Sequence, residues 1–438
     1  MEKKPDKPED VTNKPLPSMS EPMEVQDAVA FTLATPFAQP IIAASKSKAQ
    51  NHSISIFLRR CHVQLSSLDE DEFLKPPLTL LWYARLHPLL DSRRSKVQNA
   101  TNVVLFCVII ALAIKGILVF YKDDISFAAE CLQTCFLTSH VVGKMLILRV
   151  YRKKILQLVT QRSLFWKPED FTSATQKECS VFTMRVKKLL RGYYILAFTT
   201  LILYDLQPIV GGIVPTACYV PPFSFKYLVV LAWYLSVVAC LVICGIDSFF
   251  VSLATSLWLQ FKLLHYKIKE NDICTEESDK QSWKKVKEFV DHHVFLLSYC
   301  QKLNIAFQPM FMLQFLLPVA NGALGIFISL QPGLWSNRMK SFVYFVRTLG
   351  EAAFYCVPAE FLISSANKVC DVVYESNWYE LNKEQIKKCF SLVMMKSQKL
   401  LVFSAYGLVW INLGTLVVIY KTIFSFFTYL NSAKNMST

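Results

Sequence analysis

Glycine supplies only 12 of the 438 residues and charged side chains only 18%. The first shortage excludes glycine-led close approach as the main way this chain packs its helices. The second, with a mean hydropathy of +0.33, lies outside the mix of a soluble domain. No glycine-rich phosphate loop, HExxH helix or nucleophile elbow occurs, so no catalytic constellation and no enzyme is expected. Thirteen cysteines are present, yet most, such as Cys107, Cys131, Cys135, Cys240, Cys244 and Cys356, sit inside apolar runs, where cysteine acts as a small hydrophobe. The pairs Cys131/Cys135 and Cys240/Cys244 have i, i+4 spacing without a neighbouring histidine or third cysteine. Neither a disulfide framework, a metal site nor a cofactor is expected.

Apolar runs and aromatics are abundant, with 32 phenylalanines. The net charge of +14 is carried by basic residues alternating with apolar blocks, the pattern of cytoplasmic loops and not of a nucleic-acid binder. Segments of bilayer-spanning length run over 103–120, 125–148, 193–214, 227–250, 307–330, 342–366 and 404–430. They predict an all-α membrane protein of seven transmembrane helices, in contact with lipid. The second span carries Glu130, His140 and Lys144 and is read as an interior helix. Residues 1–67, rich in Lys, Pro, Ser and Glu and without periodicity, predict a disordered cytoplasmic tail. Its apolar patch is broken by Pro36 and Pro40 and does not read as a signal peptide. Residues 68–438 form the predicted seven-helix domain.

Lysine and arginine crowd the connections 149–191, 262–302 and 368–399, while the others are short and nearly bare. This asymmetry predicts a cytoplasmic N-terminus and an extracellular C-terminus. Helical periodicity continues from the basic connections into the spans, so the helices are expected to extend into a cytoplasmic anchor region, with a break near Gly407 or Gly414. His292-His293 on such a stretch is read as structural or solvated. In the last span Lys421, Ser425, Thr428 and Ser432 share one helical side beside Tyr429, opposite Val418, Ile419, Ile423 and Phe427. That stripe lines a water-filled path or forms a polar seam with other helices, and the residues alone leave the two even. Lys115, Asp205, Gln207 and Glu351 are further intramembrane polar residues, and Glu130 is expected to pair with a lysine. Asp247, near the predicted end of its span, is read as structural.

GIDSFFVSLATSLWLQFKLL (245–264), VKEFVDHHVFLLSYCQKLNIAFQPMFMLQFLL (286–317), GEAAFYCVPAEFLISSANKVCDVVYESNWYEL (350–381) and MMKSQKLLVFSAYGLVWINLGTLVVIYKTIFSFFTYL (394–430) together resemble the insect odorant receptors. Asp247, His293, Tyr355-Cys356, Tyr374 with Trp378, Ser397-Gln398-Lys399, and Lys421 with Ser425 carry the likeness. The resemblance implies a multi-pass protein of the plasma membrane of olfactory sensory neurons. Its activity would be that of a tetrameric, non-selective cation channel gated by small volatile odorants and shared with a coreceptor subunit. It implies that the last helix, within 404–430, lines the pore, with Tyr429 and Ala433 near the gate and Lys421, Ser425 and Thr428 along the wall. It also implies an outer-half pocket between spans two, three, four and six, which by region suggests Phe127, Cys131, Tyr204, Gln207, Val230, Trp233, Tyr344 and Thr348. The N-terminal stretch, Phe426 and Tyr429 depart from the family pattern. The gustatory receptors stand second, because Thr428-Tyr429 leads here to LNSAKN and not to their QF ending. A G-protein-coupled receptor is disfavoured by the charge asymmetry, and a secondary transporter by the lack of repeated halves.

Overall fold

The computed structural model describes residues 73–438, apart from 213, 271–278, 332–334, 377, 381–382, 400 and 438. The tail expected over 1–67 lies outside the described residues. Helix α1 (Lys75–Tyr83) opens on Pro76 and Pro77, whose fixed φ suits a first helical turn. It ends where Arg85 turns left-handed at φ 58°. This short helix was not legible as a span, being only 9 residues long, yet it buries Leu78 and Leu81. Helix α2 (Arg93–Phe120) starts at Ser92, whose side chain accepts from the Ser95 amide. Asp124 caps α3 (Ile125–Val150) in the same way, accepting from the Phe127 amide at 2.9 Å. As expected, α3 is an interior helix: Glu130, His140 and Lys144 are all buried within the protomer. After α4 (Arg152–Gln161) comes α5 (Ser173–Asp205), capped by Thr172.

The third span, expected to run to 214, stops at Asp205. Pro208 has no backbone N–H to continue the hydrogen-bond ladder, and the chain restarts as the five-residue α6 (Gln207–Gly211). Helices α7 (Phe225–Glu270) and α8 (Asp279–Leu330) have 46 and 52 residues. At 1.5 Å per residue they reach roughly 70–80 Å, against a hydrocarbon core of about 30 Å, so both project well past one membrane face. Helix α9 (Trp335–Tyr374) follows. Among the described residues, six of the seven long helices are long and apolar enough to cross a membrane; α9 falls short because Lys340, Arg347, Glu351 and Glu360 interrupt its apolar run.

After α10 (Glu384–Ser397) the chain forms a small hairpin, β1 (Ser404–Ala405) with β2 (Val409–Trp410), pairing Ser404 with Trp410 and Ala405 with Val409. Gly407 sits at φ +74°, a conformation that suits a residue without Cβ. The last helix, α11 (Leu413–Ser437), therefore begins nine residues later than the span expected from 404. Asn412 makes this start by accepting the Thr415 amide at 2.8 Å. The expected break at Gly407 is this hairpin.

Helix α8 packs on α9, α3 and α11, while α7 packs on α9, α1 and α5. Bulky aromatics fill the centre. The Phe250 ring stacks on Tyr355 with centroids 5.1 Å apart, and Phe307 and Phe311 close around it at 5.1 and 5.4 Å. One glycine permits a close approach: a Cβ on Gly116 would stand 2.8 Å from the Cys131 sulfur and 3.1 Å from the Tyr219 backbone nitrogen. The segment 214–220 thereby lies directly on α2, and the Tyr219 amide donates to the Leu112 carbonyl. Lys115 leans over the Tyr219 ring at 4.0 Å.

Candidate functional site

The end of the bundle that carries the short connections holds a partly open cavity of about 430 Å³. That volume suits a small organic molecule. Its walls come from α2 (Phe106, Ile109), α3 (Leu137, Thr138, Val141), α5 (Ala197, Thr200, Leu201, Tyr204), α7 (Ala232, Leu235, Ala239, Ile243) and α9 (Met339, Val343, Tyr344). Aliphatic side chains dominate because each helix turns an apolar stripe inward here. Most polar groups on the wall are already engaged. The Thr138 hydroxyl donates to the Thr134 carbonyl, Thr200 to Ala197, and Ser236 to the Asp205 carboxylate at 2.9 Å. Lys340 stands 3.7 Å from Glu130 and 5.4 Å from the Tyr204 ring centroid, so the expected partner of Glu130 is Lys340 of α9. The Gln207 side-chain oxygen is buried without a hydrogen-bond partner among the described residues.

Beneath this cavity lies a cluster of charges fully enclosed by the helices. Lys144 on α3 donates to Asp247 on α7 at 2.7 Å and to Glu351 on α9 at 2.6 Å. Tyr355 gives a further hydrogen bond to Asp247 at 2.6 Å, and Tyr193 of α5 another at 3.1 Å. His140 stands 3.9 Å from Glu351 and bonds to Gln314 of α8 at 3.1 Å. Asp247 therefore lies in the middle of α7, not near its end, and it ties together α3, α5, α7 and α9. A buried ion cluster holds only when its charges are matched, and here Lys144 serves both carboxylates while Asp247 also accepts from two tyrosines. Arg347, one helical turn before Glu351, borders both the large cavity and a narrow gap beside His140 and Glu351. With Arg347 included, two cations balance two carboxylates.

Of the eight residues suggested for a pocket, Tyr204, Gln207 and Tyr344 line the cavity. The other five stand elsewhere. Cys131 is sealed in a neighbouring cluster with Ala113, Ala217 and Cys218, and Phe127 packs against that cluster and edge-on against Phe120 at 5.2 Å. Val230 is 63% exposed on the outer surface of α7. Thr348 turns to the narrow gap, its hydroxyl bonded to the Tyr344 carbonyl. Trp233 packs beside Val214 and Leu228 and donates its ring N–H to the Asp205 carbonyl at 2.9 Å. Trp233→Ala is therefore expected to lower thermal stability by about 2–4 kcal/mol without shifting ligand selectivity. A melting curve and a ligand panel on the purified variant check both parts. Arg347 and Lys340 were missing from the sequence-based set. An arginine inside the apolar run 342–366 was the available signal for the first.

On α11, Lys421, Ser425, Thr428 and Tyr429 lie on an exposed side of the protomer, with Tyr429 69% exposed. Ile419 and Ile423 are buried against the bundle, whereas Val418, expected beside them, is 60% exposed. The Ala433 side chain lies outside the described residues. Among the described residues no group of three potential metal ligands gathers. The histidine pair is structural and not solvated: His292 stacks on Trp166 at 3.7 Å and bonds to Gln260, while His293 meets the Ser397 hydroxyl at 3.3 Å.

The family model described as 7tm Odorant receptor matches residues 124–424. Odorant receptor 82a of Drosophila melanogaster is 27% identical over 191 residues, which are 43% of this chain and 48% of that protein. Odorant receptor 83c of the same fly is 25% identical over 265 residues, 55% of this chain and 65% of that one. The chain thus spans about half to two thirds of the length of these relatives. In fold it is similar to the insect olfactory receptor OR5 from Machilis hrabei, solved in complex with eugenol and in a second structure. The TM-score is 0.70 for both, at 11% and 12% identity, covering 83% of this chain and 98% of that one. With seven long helices in this arrangement and a family match across most of its length, the chain belongs to the seven-transmembrane odorant receptor family of insects.

Proposed function

We propose that the chain is the ligand-tuning subunit of an odorant-gated, non-selective cation channel in the plasma membrane of olfactory sensory neurons, assembled with a coreceptor as a heterotetramer. The observation that carries this is the apolar cavity of about 430 Å³ at the short-connection end of the bundle. By the distribution of basic residues that end faces outward, with the N-terminus inside and the C-terminus outside. A volatile molecule entering it would be held by shape and dispersion, which gives modest affinity and broad tuning. The exposed polar side of α11, with Lys421, Ser425, Thr428 and Tyr429, supports a wall shared with other subunits around a pore. Ligand binding opens the channel to the extent that it prefers the open arrangement of α11.

The test is co-expression with a coreceptor, application of an odorant panel, and current recording with G-protein signalling blocked. Currents that persist under the block are expected; currents that vanish under it favour a G-protein-coupled receptor. Within that assay Tyr344→Ala enlarges the cavity and removes an aromatic wall that meets Tyr204 at 5.9 Å. The half-maximal concentration for the best small odorant is expected to rise on the order of tenfold, while bulkier homologues gain. An unchanged dose response at equal surface expression removes Tyr344 from the binding wall.

A further inference from the structure

Arg347 is the one cavity-lining cation without an ion pair or hydrogen bond among the described residues. Its neighbours are Glu351 on its own helix, Tyr193 of α5, Tyr344, and Cys244 of α7. Glu351 sits in its field but is held by Lys144 at 2.6 Å. The guanidinium carries five N–H donors in a fixed planar fork, and inside a bilayer no bulk water supplies acceptors for them. The other cation on the wall, Lys340, is drawn to Glu130 and the Tyr204 ring. The unpartnered oxygen of Gln207 belongs to the first residue of the short helix after α5, whereas Arg347 also borders the gap beside His140 and Glu351.

We infer that the cavity selects volatiles bearing a carbonyl oxygen, such as ketones, aldehydes or esters, whose oxygen accepts hydrogen bonds from Arg347 while the hydrocarbon chain fills the aliphatic wall. This rests on the channel function proposed above and deepens it. Charge balance favours a neutral acceptor over a carboxylate. Lys144 and Arg347 already match Asp247 and Glu351, so an anion would leave the enclosed group with an excess negative charge. A carbonyl supplies the missing acceptor and leaves the balance intact. It also gives binding a route to the helices, because drawing Arg347 toward the ligand changes the field at Glu351, and Glu351 is bonded to Lys144 of α3.

The experiment compares, in the co-expressed channel, a methyl ketone with the alkane, the alcohol and the carboxylate of the same chain length. The quantity read is the ratio of half-maximal concentrations within each variant, which cancels differences in expression. In the unaltered receptor the ketone is expected to be the most potent of the four. In Arg347→Met its advantage over the alkane falls by about tenfold or more, the worth of a charge-assisted hydrogen bond. Arg347→Lys keeps the positive charge but not the fork, and retains only part of the advantage; it also serves where the methionine variant does not reach the surface. An equal ketone-to-alkane ratio in all three proteins overturns the inference while leaving the channel reading intact. So does a carboxylate more potent than the ketone. Binding of radiolabelled ketone to the purified complex separates a lost site from lost gating, and no saturable binding of any of the four compounds overturns both readings.

Discussion

Lys144→Met is expected to lower the stability of the folded chain by about 3–5 kcal/mol, because it leaves Asp247 and Glu351 enclosed with too little opposing charge. The lysine is fully buried and bonds to both carboxylates, so its loss takes from two enclosed carboxylates the donor they share. Loss of the mature protein from the cell surface and a collapsed melting transition in detergent are the readouts. The double variant Lys144→Met with Asp247→Asn should recover much of the loss, since Glu351 then remains matched by Arg347. A single variant that melts with the unaltered protein would show that the cluster carries no such burden.

Phe250→Ala is expected to cost about 3 kcal/mol or more. Its ring is fully buried and touches Phe307 and Phe311 of α8 and Tyr355 of α9, so truncation opens a void where three helices meet. In a bilayer the lipid is as apolar as the side chain, and the loss is therefore one of dispersion contacts more than of transfer from water. Tyr355 both stacks on Phe250 and donates to Asp247, so the effects of Phe250→Ala and Asp247→Asn should depart from additivity by at least about 0.5 kcal/mol. Additive losses across that cycle would mean that packing and the charge cluster are independent. Melting midpoints of the two single variants and the double variant settle it.

Much of the architecture was legible because spanning helices announce themselves by length and hydropathy. The spans at 103–120, 125–148, 227–250 and 307–330 fall inside α2, α3, α7 and α8. The departures have local causes that hydropathy averages away: Pro208 cuts the third span at Asp205, and Asn412 delays the last to Leu413. The candidate site was legible in its types and not in its partners. Lys144, Asp247 and Glu351 each stand out as charges in apolar runs, but they lie 103 and 207 residues apart, and no spacing rule joins them. Position on a helix also failed to say which residues face a cavity: Val230 and Trp233 stand within two residues of the wall residue Ala232, yet Trp233 packs on a neighbouring cluster and Val230 points outward.

What the sequence determined by itself is everything set by local composition: an all-helical membrane protein, the rough extent of its spans, and the amphipathic last helix. Only the tertiary structure decided which polar groups meet. In a bilayer a charged side chain must find its partner inside the protein, and that partner is supplied by another helix at a distance along the chain that local pattern does not encode. The cavity exists for a similar reason, since it is the space left where α2, α3, α5, α7 and α9 approach without filling it, and its volume belongs to their arrangement and to no single segment.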